Sequence, residues 1–264
     1  MAQVDLALLG AGGINTVVAQ AVRAGRLPGV RIVAVAGSSV SSAGAKQLAS
    51  ELGAQVVAPT DLASCGAAWV LEAAGGAAVR AHVPGLWAAG INTIVMSVGA
   101  MLDEHVYAAY QRRGGVQVVL PSGGIAGLDG VRALAAVDGL TTARITSTKK
   151  PAGLRGAPYL EQNGIELPED RAVTVFEGSA REAVVGFPAN VNVAVALSLA
   201  GIGPDLTRVV VRSDPSAEGV MQLIEASGPL ASLEVKIRSQ PSPQNPRTSY
   251  LAGAAAVSAV RAIG

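Results

Sequence analysis

Val4–Leu9 reads VDLALL and runs without a break into GAGGIN at residues 10–15, followed by an apolar-periodic stretch to about Arg26. A short buried strand, a glycine turn and a helix, in that order, form the setting in which a G-x-G fingerprint holds a dinucleotide. Gly10 permits the tight turn. Gly12 lets the backbone approach a pyrophosphate, and the helix start at Gly13 and Ile14 stabilises its charge. The third fingerprint position carries Asn15 in place of glycine. The plainer alternative is a glycine turn with no ligand.

Outward from this stretch the same alternation repeats. Residues 31–36 (RIVAVA) form a second buried strand, with a helix expected over 42–52. Residues 69–72, 93–96 and 116–120 read as further buried strands, with helical stretches at 77–89 and 103–113 between them. Strands alternating with helices at this spacing predict an α/β fold with a doubly wound parallel sheet. The pattern changes near Pro121. A Gly-rich loop, SGGIAGLDG, leads into a helix at about 128–137, and longer strand-like runs follow at 143–149, 172–177, 207–212 and 231–238. With few helices between them, these predict a second domain with an antiparallel or mixed sheet. QPSPQNPRTSY at 240–250 reads as a proline-punctuated connector, and 250–263 as an amphipathic terminal helix.

The composition excludes several function classes. A chain of 264 residues is long enough for two modest domains. Its formal net charge of +1 leaves no electrostatic footprint for nucleic acid or an acidic membrane surface. One cysteine and two histidines give neither a disulfide framework nor a metal-ligand spacing, and Cys65 reads as a small core residue. No apolar run reaches the roughly 18 residues that span a bilayer, and no export leader precedes the first strand, so a cytoplasmic location is expected.

One polar island interrupts this apolar chain: FEGSAREAVVGFPANVNVA at residues 176–194, in a sequence only 15% charged. It reads as a strand end, a helical turn, a proline-bounded loop and the start of a buried helix. Asn190 and Asn192 need partners there, because an unpaired buried amide costs roughly 1–3 kcal/mol. Arg181 suits bidentate carboxylate recognition, or pairs with its neighbours Glu177 and Glu182. Lys149, Lys150 and Arg247 are the other cations near the loop segments, for an anionic substrate. Gly99 and the 122–127 loop, with Ser122 and Gly124, follow strand ends, where the ligand crevice of a doubly wound sheet lies. The second strand ends Gly37-Ser38-Ser39 with no carboxylate, which permits NADP as well as NAD and makes Ser38 and Ser39 candidate donors.

These motifs together resemble the L-aspartate dehydrogenase family over nearly the whole chain. GAGGIN, MSVGA (96–100), PSGGIAGLD (121–129), STKKP (147–151), FEGSAREAV…FPANVNVA and PSPQNPRTSYLA (241–252) carry the resemblance by their order and spacing. It implies a Rossmann dinucleotide-binding domain over 1–120 completed by a C-terminal helix over 246–264. It further implies a mixed α/β catalytic and dimerisation domain over 121–245. It also implies a homodimer that passes the Cα hydride of L-aspartate to NAD or NADP, leaving iminosuccinate. Gly124 and Asn192 match the family's contacts near the nicotinamide.

Three positions depart from the family pattern. Asn15 replaces a glycine. Lys149 stands where the family has arginine in T-x-R-K-P. Gln222 falls at the family's catalytic histidine, in DPSAEGVMQLIEASG from Asp214. Glutamine hydrogen-bonds but takes no proton near neutral pH. Three readings follow. The first is an NAD(P)-dependent dehydrogenase acting on a small anionic amino or imino acid. The second is a relative whose substrate has changed to a hydroxy acid or cyclic carboxylate, with Lys149 or Lys150 as base. The third is a catalytically silent NAD(P)-binding protein.

Overall fold

A computed structural model describes residues 3–188, 191–242 and 245–264, with backbone alone for 245–248. The chain divides into two compact units, Met1–Gly123 with Ala252–Gly264, and Gly124–Leu251.

The first unit follows the alternation: β1 (Val4–Leu9), α1 (Gly13–Arg23), β2 (Val30–Ala36), α2 (Ala43–Leu52), β3 (Gln55–Val56), β4 (Trp69–Glu72), α3 (Gly76–Ala88), β5 (Asn92–Val95), α4 (Glu104–Gln111) and β6 (Val118–Val119). The strands form one parallel sheet in the order β3-β2-β1-β4-β5-β6. Both faces of β1 are buried over residues 6–9, which is why LALL reads as a continuous apolar run, with Asp5 at the open end paired to Arg31. Leu6 and Leu8 enter one core cluster with Val18 and Ala19 of α1. Ala7 and Leu9 point the other way, into a cluster with Leu62, Val70 and Leu86. The two-residue β3 is too short to carry a pattern and was not legible. The strand expected over 116–120 contracts to Val118–Val119.

The second unit contains α5 (Leu128–Ala136), β7 (Thr142–Lys149), α6 (Pro158–Gln162), β8 (Val173–Ser179), α7 (Ala180–Gly186), α8 (Asn192–Ala200), β9 (Arg208–Ser213), β10 (Val220–Ser227) and β11 (Ser232–Ser239). Its five-stranded sheet runs β11-β10-β7-β9-β8. It is mixed: β7 and β9 are parallel and the other pairs antiparallel. The sequence reading missed β10, because Gln222 and Glu225 break its apolar run. The supposed connector at 240–250 also pairs with itself, as β12 (Pro241–Ser242) against β13 (Asn245–Ser249). Tyr159, Phe176 and Phe187 form an aromatic knot with ring centroids 5.1–5.5 Å apart. The final helix, α9 (Tyr250–Arg261), continues into the first unit, where Ala256 and Val260 join the cluster beneath α1. A Cβ on Gly253 would meet Val17 at 3.3 Å, so the glycine sets how closely α9 approaches α1.

Candidate active site

The order β3-β2-β1-β4-β5-β6 places a topological switch point between β1 and β4, where ligands bind beyond the strand ends. Gly10 turns there with φ +102°, and a Cβ on it would lie 2.9 Å from the Ala73 carbonyl oxygen. Only glycine fits that turn. Gly12 caps α1, and a Cβ on it would meet nothing within 4 Å. Its carbonyl takes the Thr16 amide at 3.0 Å, and the space beside it, at a helix N-terminus of the kind that receives phosphates, is open. Gly13 and Ile14 form the first turn of that helix.

Asn15 is fully buried in the third fingerprint position. Its Nδ2 donates to the carbonyls of Leu9 at 3.1 Å and Gly10 at 2.8 Å, so the amide stitches α1 to the end of β1. Where a glycine would allow close helix–strand packing, Asn15 supplies a bonded spacer. Its Oδ1 has no hydrogen-bond partner among the described residues.

At the end of β2, Ser38 and Ser39 are exposed, and Ser39 shares a 2.8 Å hydroxyl contact with Ser41. Ser42 caps α2. Gly99 lies in a 3₁₀ turn, Val98–Leu102, after β5, and Ser122 is half-buried in the loop after β6. One feature of this unit went unnoticed in the sequence. Glu72, at the end of β4, is fully buried, and burial raises its carboxyl above the usual range against the pull of hydrogen bonds from Ser97, Ala74 and Gly75. Its signal was a carboxylate closing an otherwise apolar strand, WVLE.

In the second unit, Gln222 of β10 is buried opposite Ser147 of β7. The Ser147 hydroxyl donates to Gln222 Oε1 at 2.5 Å. Alternation along β7 places Ala143, Ile145, Ser147 and Lys149 on one face. Lys149 stands in register with Ser213 of β9. Burial lowers the Lys149 ammonium to about 8. Ser213 is fully buried and its hydroxyl has no hydrogen-bond partner among the described residues. Neither serine was singled out from sequence, because serines in strands carry no pattern of their own. Asn192 opens α8, which packs on β7. A Cβ on Gly124 would meet Ser249 Oγ at 3.0 Å and Val193 Cγ1 at 3.6 Å, so the glycine loop rests against the start of α8.

The remaining candidates are more peripheral. Lys150 is exposed at the start of a 3₁₀ turn, Pro151–Gly153. Arg181 makes a bidentate pair with Asp205 at 2.6 and 2.8 Å, both side chains more than half exposed. That replaces the expected pairing with Glu177 and Glu182. Glu182 is instead committed to a capping box with Ser179 at the head of α7, and Glu177 lies 4.0 Å from Arg144. The Arg247 side chain and Asn190 lie outside the described residues. Cys65 is half-buried at the edge of the core, its thiol donating to the Leu62 carbonyl at 3.1 Å. No helix among the described residues is long and apolar enough to cross a membrane.

A fingerprint turn at a switch point, with a separate mixed-sheet unit carrying a half-buried lysine and a buried amide, defines a two-unit NAD(P)-dependent dehydrogenase. Family models match on both sides: "Homoserine dehydrogenase, NAD binding domain" over residues 10–120 and "Aspartate dehydrogenase, C-terminal" over 129–263. The L-aspartate dehydrogenase of Methanosarcina barkeri is 41% identical over 199 residues, 74% of this chain and 73% of that one. That of Bradyrhizobium diazoefficiens is 34% identical over 98% of this chain and 91% of its own. The solved aspartate dehydrogenase of Thermotoga maritima superposes with a TM-score of 0.67 over 89% of each chain at 24% identity, a likeness of fold. The chain belongs to the aspartate dehydrogenase family.

Proposed function

We propose that this family member interconverts L-aspartate and iminosuccinate with NAD or NADP, the first unit binding the dinucleotide and the second the substrate. The nicotinamide, when bound, accepts the Cα hydride. The rest falls to the chain's own groups. The substrate ammonium loses one proton, and the nitrogen lone pair then forms the C=N bond as hydride leaves Cα. Water adds to the imine carbon to give oxaloacetate and ammonia.

The observation that carries this reading is the half-buried Lys149, whose ammonium is lowered by desolvation to about 8, on the face that holds Ser147 and Gln222. A group with that pKa exchanges a proton near neutral pH, which the Gln222 amide does not. Lys149 therefore takes the proton from the substrate nitrogen, and Gln222, oriented by Ser147, holds a substrate or water oxygen. The resemblance places Gln222 where relatives carry histidine, so hydrolysis of the imine is the step left without a dedicated base. The enzyme is a homodimer and works in the cytoplasm on this reading, the dimer being checked by its mass in solution.

The test is reduced-nicotinamide formation with a panel of L-amino and hydroxy acids, and its reverse with oxaloacetate and ammonium. Turnover on L-aspartate above all others supports the proposal. Preference for a hydroxy acid, or tight cofactor binding with no turnover, overturns it. Gln222→His is expected to speed imine hydrolysis by about 10²-fold or more. Unchanged turnover removes position 222 from the chemistry.

A further inference from the structure

The parallel sheet holds a buried carboxylate that hydride transfer does not use. Glu72 Oε1 accepts from the amides of Ala74 at 2.8 Å and Gly75 at 2.9 Å, and from the Ser97 hydroxyl at 2.8 Å. Its Oε2 accepts from the Ser97 amide at 3.0 Å. The Gly75 amide also reaches Ser97 Oγ at 3.1 Å, which closes a small ring of bonds. These donors belong to two separate connections, one after β4 and one after β5. All four bonds to the carboxyl group are donated to it, the arrangement an acceptor-only carboxylate satisfies. Burying a charge is costly unless it is fully bonded, and a loop tie alone needs no charge.

Its position suggests what the charge is for. Gly10 of the fingerprint turn rests on this same connection, with Ala73 O at 2.9 Å and Ala74 Cα at 3.1 Å from the place of a Cβ. In doubly wound sheets the end of β2 takes the adenosine ribose, which leaves the β4–β5 side to the nicotinamide half. We propose that Glu72 is a positioning residue for that half. It ties the β4 and β5 connections into one wall of the cofactor crevice and, when ionised, sets a negative charge on that side. The charge favours the oxidised, cationic nicotinamide over the neutral reduced form. This deepens the dinucleotide reading of the crevice and rests on it.

Affinities for NAD⁺ and NADH, and for the NADP pair, measured at alkaline pH with melting temperature on the full chain, test the proposal. Glu72→Gln keeps the shape but turns an NH₂ group toward one of the donors. It is expected to weaken the oxidised cofactor by about tenfold and the reduced cofactor by roughly threefold less. Equal weakening of both forms alongside a lower melting temperature marks a merely structural brace and overturns the proposal, as does unchanged affinity. If Glu72→Gln does not fold, Ser97→Ala removes only the hydroxyl bridge. By loosening the carboxylate it should weaken the oxidised form about threefold more than the reduced one, and equal weakening or an unchanged affinity there overturns the proposal. A wild-type chain that binds neither form fails at the cofactor reading itself, an outcome distinct from a variant that binds like the wild type.

Discussion

At the scale of single residues, the proposed site draws on polar groups held where they are expensive. Lys149 is the clearest case. Its folded pKa, about 8, lies below the unfolded 10.5, so between those values the unfolded chain binds more protons. Its contribution to stability is therefore unfavourable below about pH 8 and is relieved as pH rises through that window. Lys149→Met should raise stability at pH 7 by up to about 3 kcal/mol in denaturant titrations. The same change should cut kcat about 10²–10⁴-fold and abolish a rise in rate with pH centred near 8. Asn15 works in the opposite sense. Asn15→Gly restores the usual fingerprint but strips two bonds from buried carbonyls. It should cost about 1–3 kcal/mol by equilibrium unfolding and loosen cofactor binding.

At the scale of elements, short polar devices fix where helices begin. The Ser179–Glu182 capping box starts α7 directly from the end of β8, which fixes both the strand end and the helix of the polar island. Ser179→Ala should lower stability by about 0.5–2 kcal/mol with cofactor affinity unchanged, read by thermal melting and by titration. Strands whose apolar run is interrupted only near an end, β1 at Asp5, β2 at Arg31 and β4 at Glu72, were legible within a residue or so. β10 was not, because Gln222 at a buried position looks like a break until the cross-strand Ser147 satisfies it. A polar residue in a strand is readable only with its partner, and that partner lies 75 positions away.

At the scale of the whole molecule, each unit has its own sheet and core, and cofactor binding couples to the folding of the unit that forms the site. Saturation at about 100 times Kd should stabilise that unit by roughly 2.7 kcal/mol, seen as an upward shift in its melting transition with NAD(P)H. A shift produced equally by a nucleotide lacking the nicotinamide would place the binding energy in the adenosine half alone.

The sequence by itself determined the parallel sheet, the fingerprint turn and the family. All of these rest on local patterns: apolar runs, glycines at strand ends, and motif order. Tertiary structure alone decided which polar residues are buried and what bonds them. Arg181 went to Asp205, Ser147 to Gln222, and Ser97 to Glu72. The physical reason is that the cost of a buried charge or amide depends on donors brought in from distant strands. Spacing along the chain does not encode that.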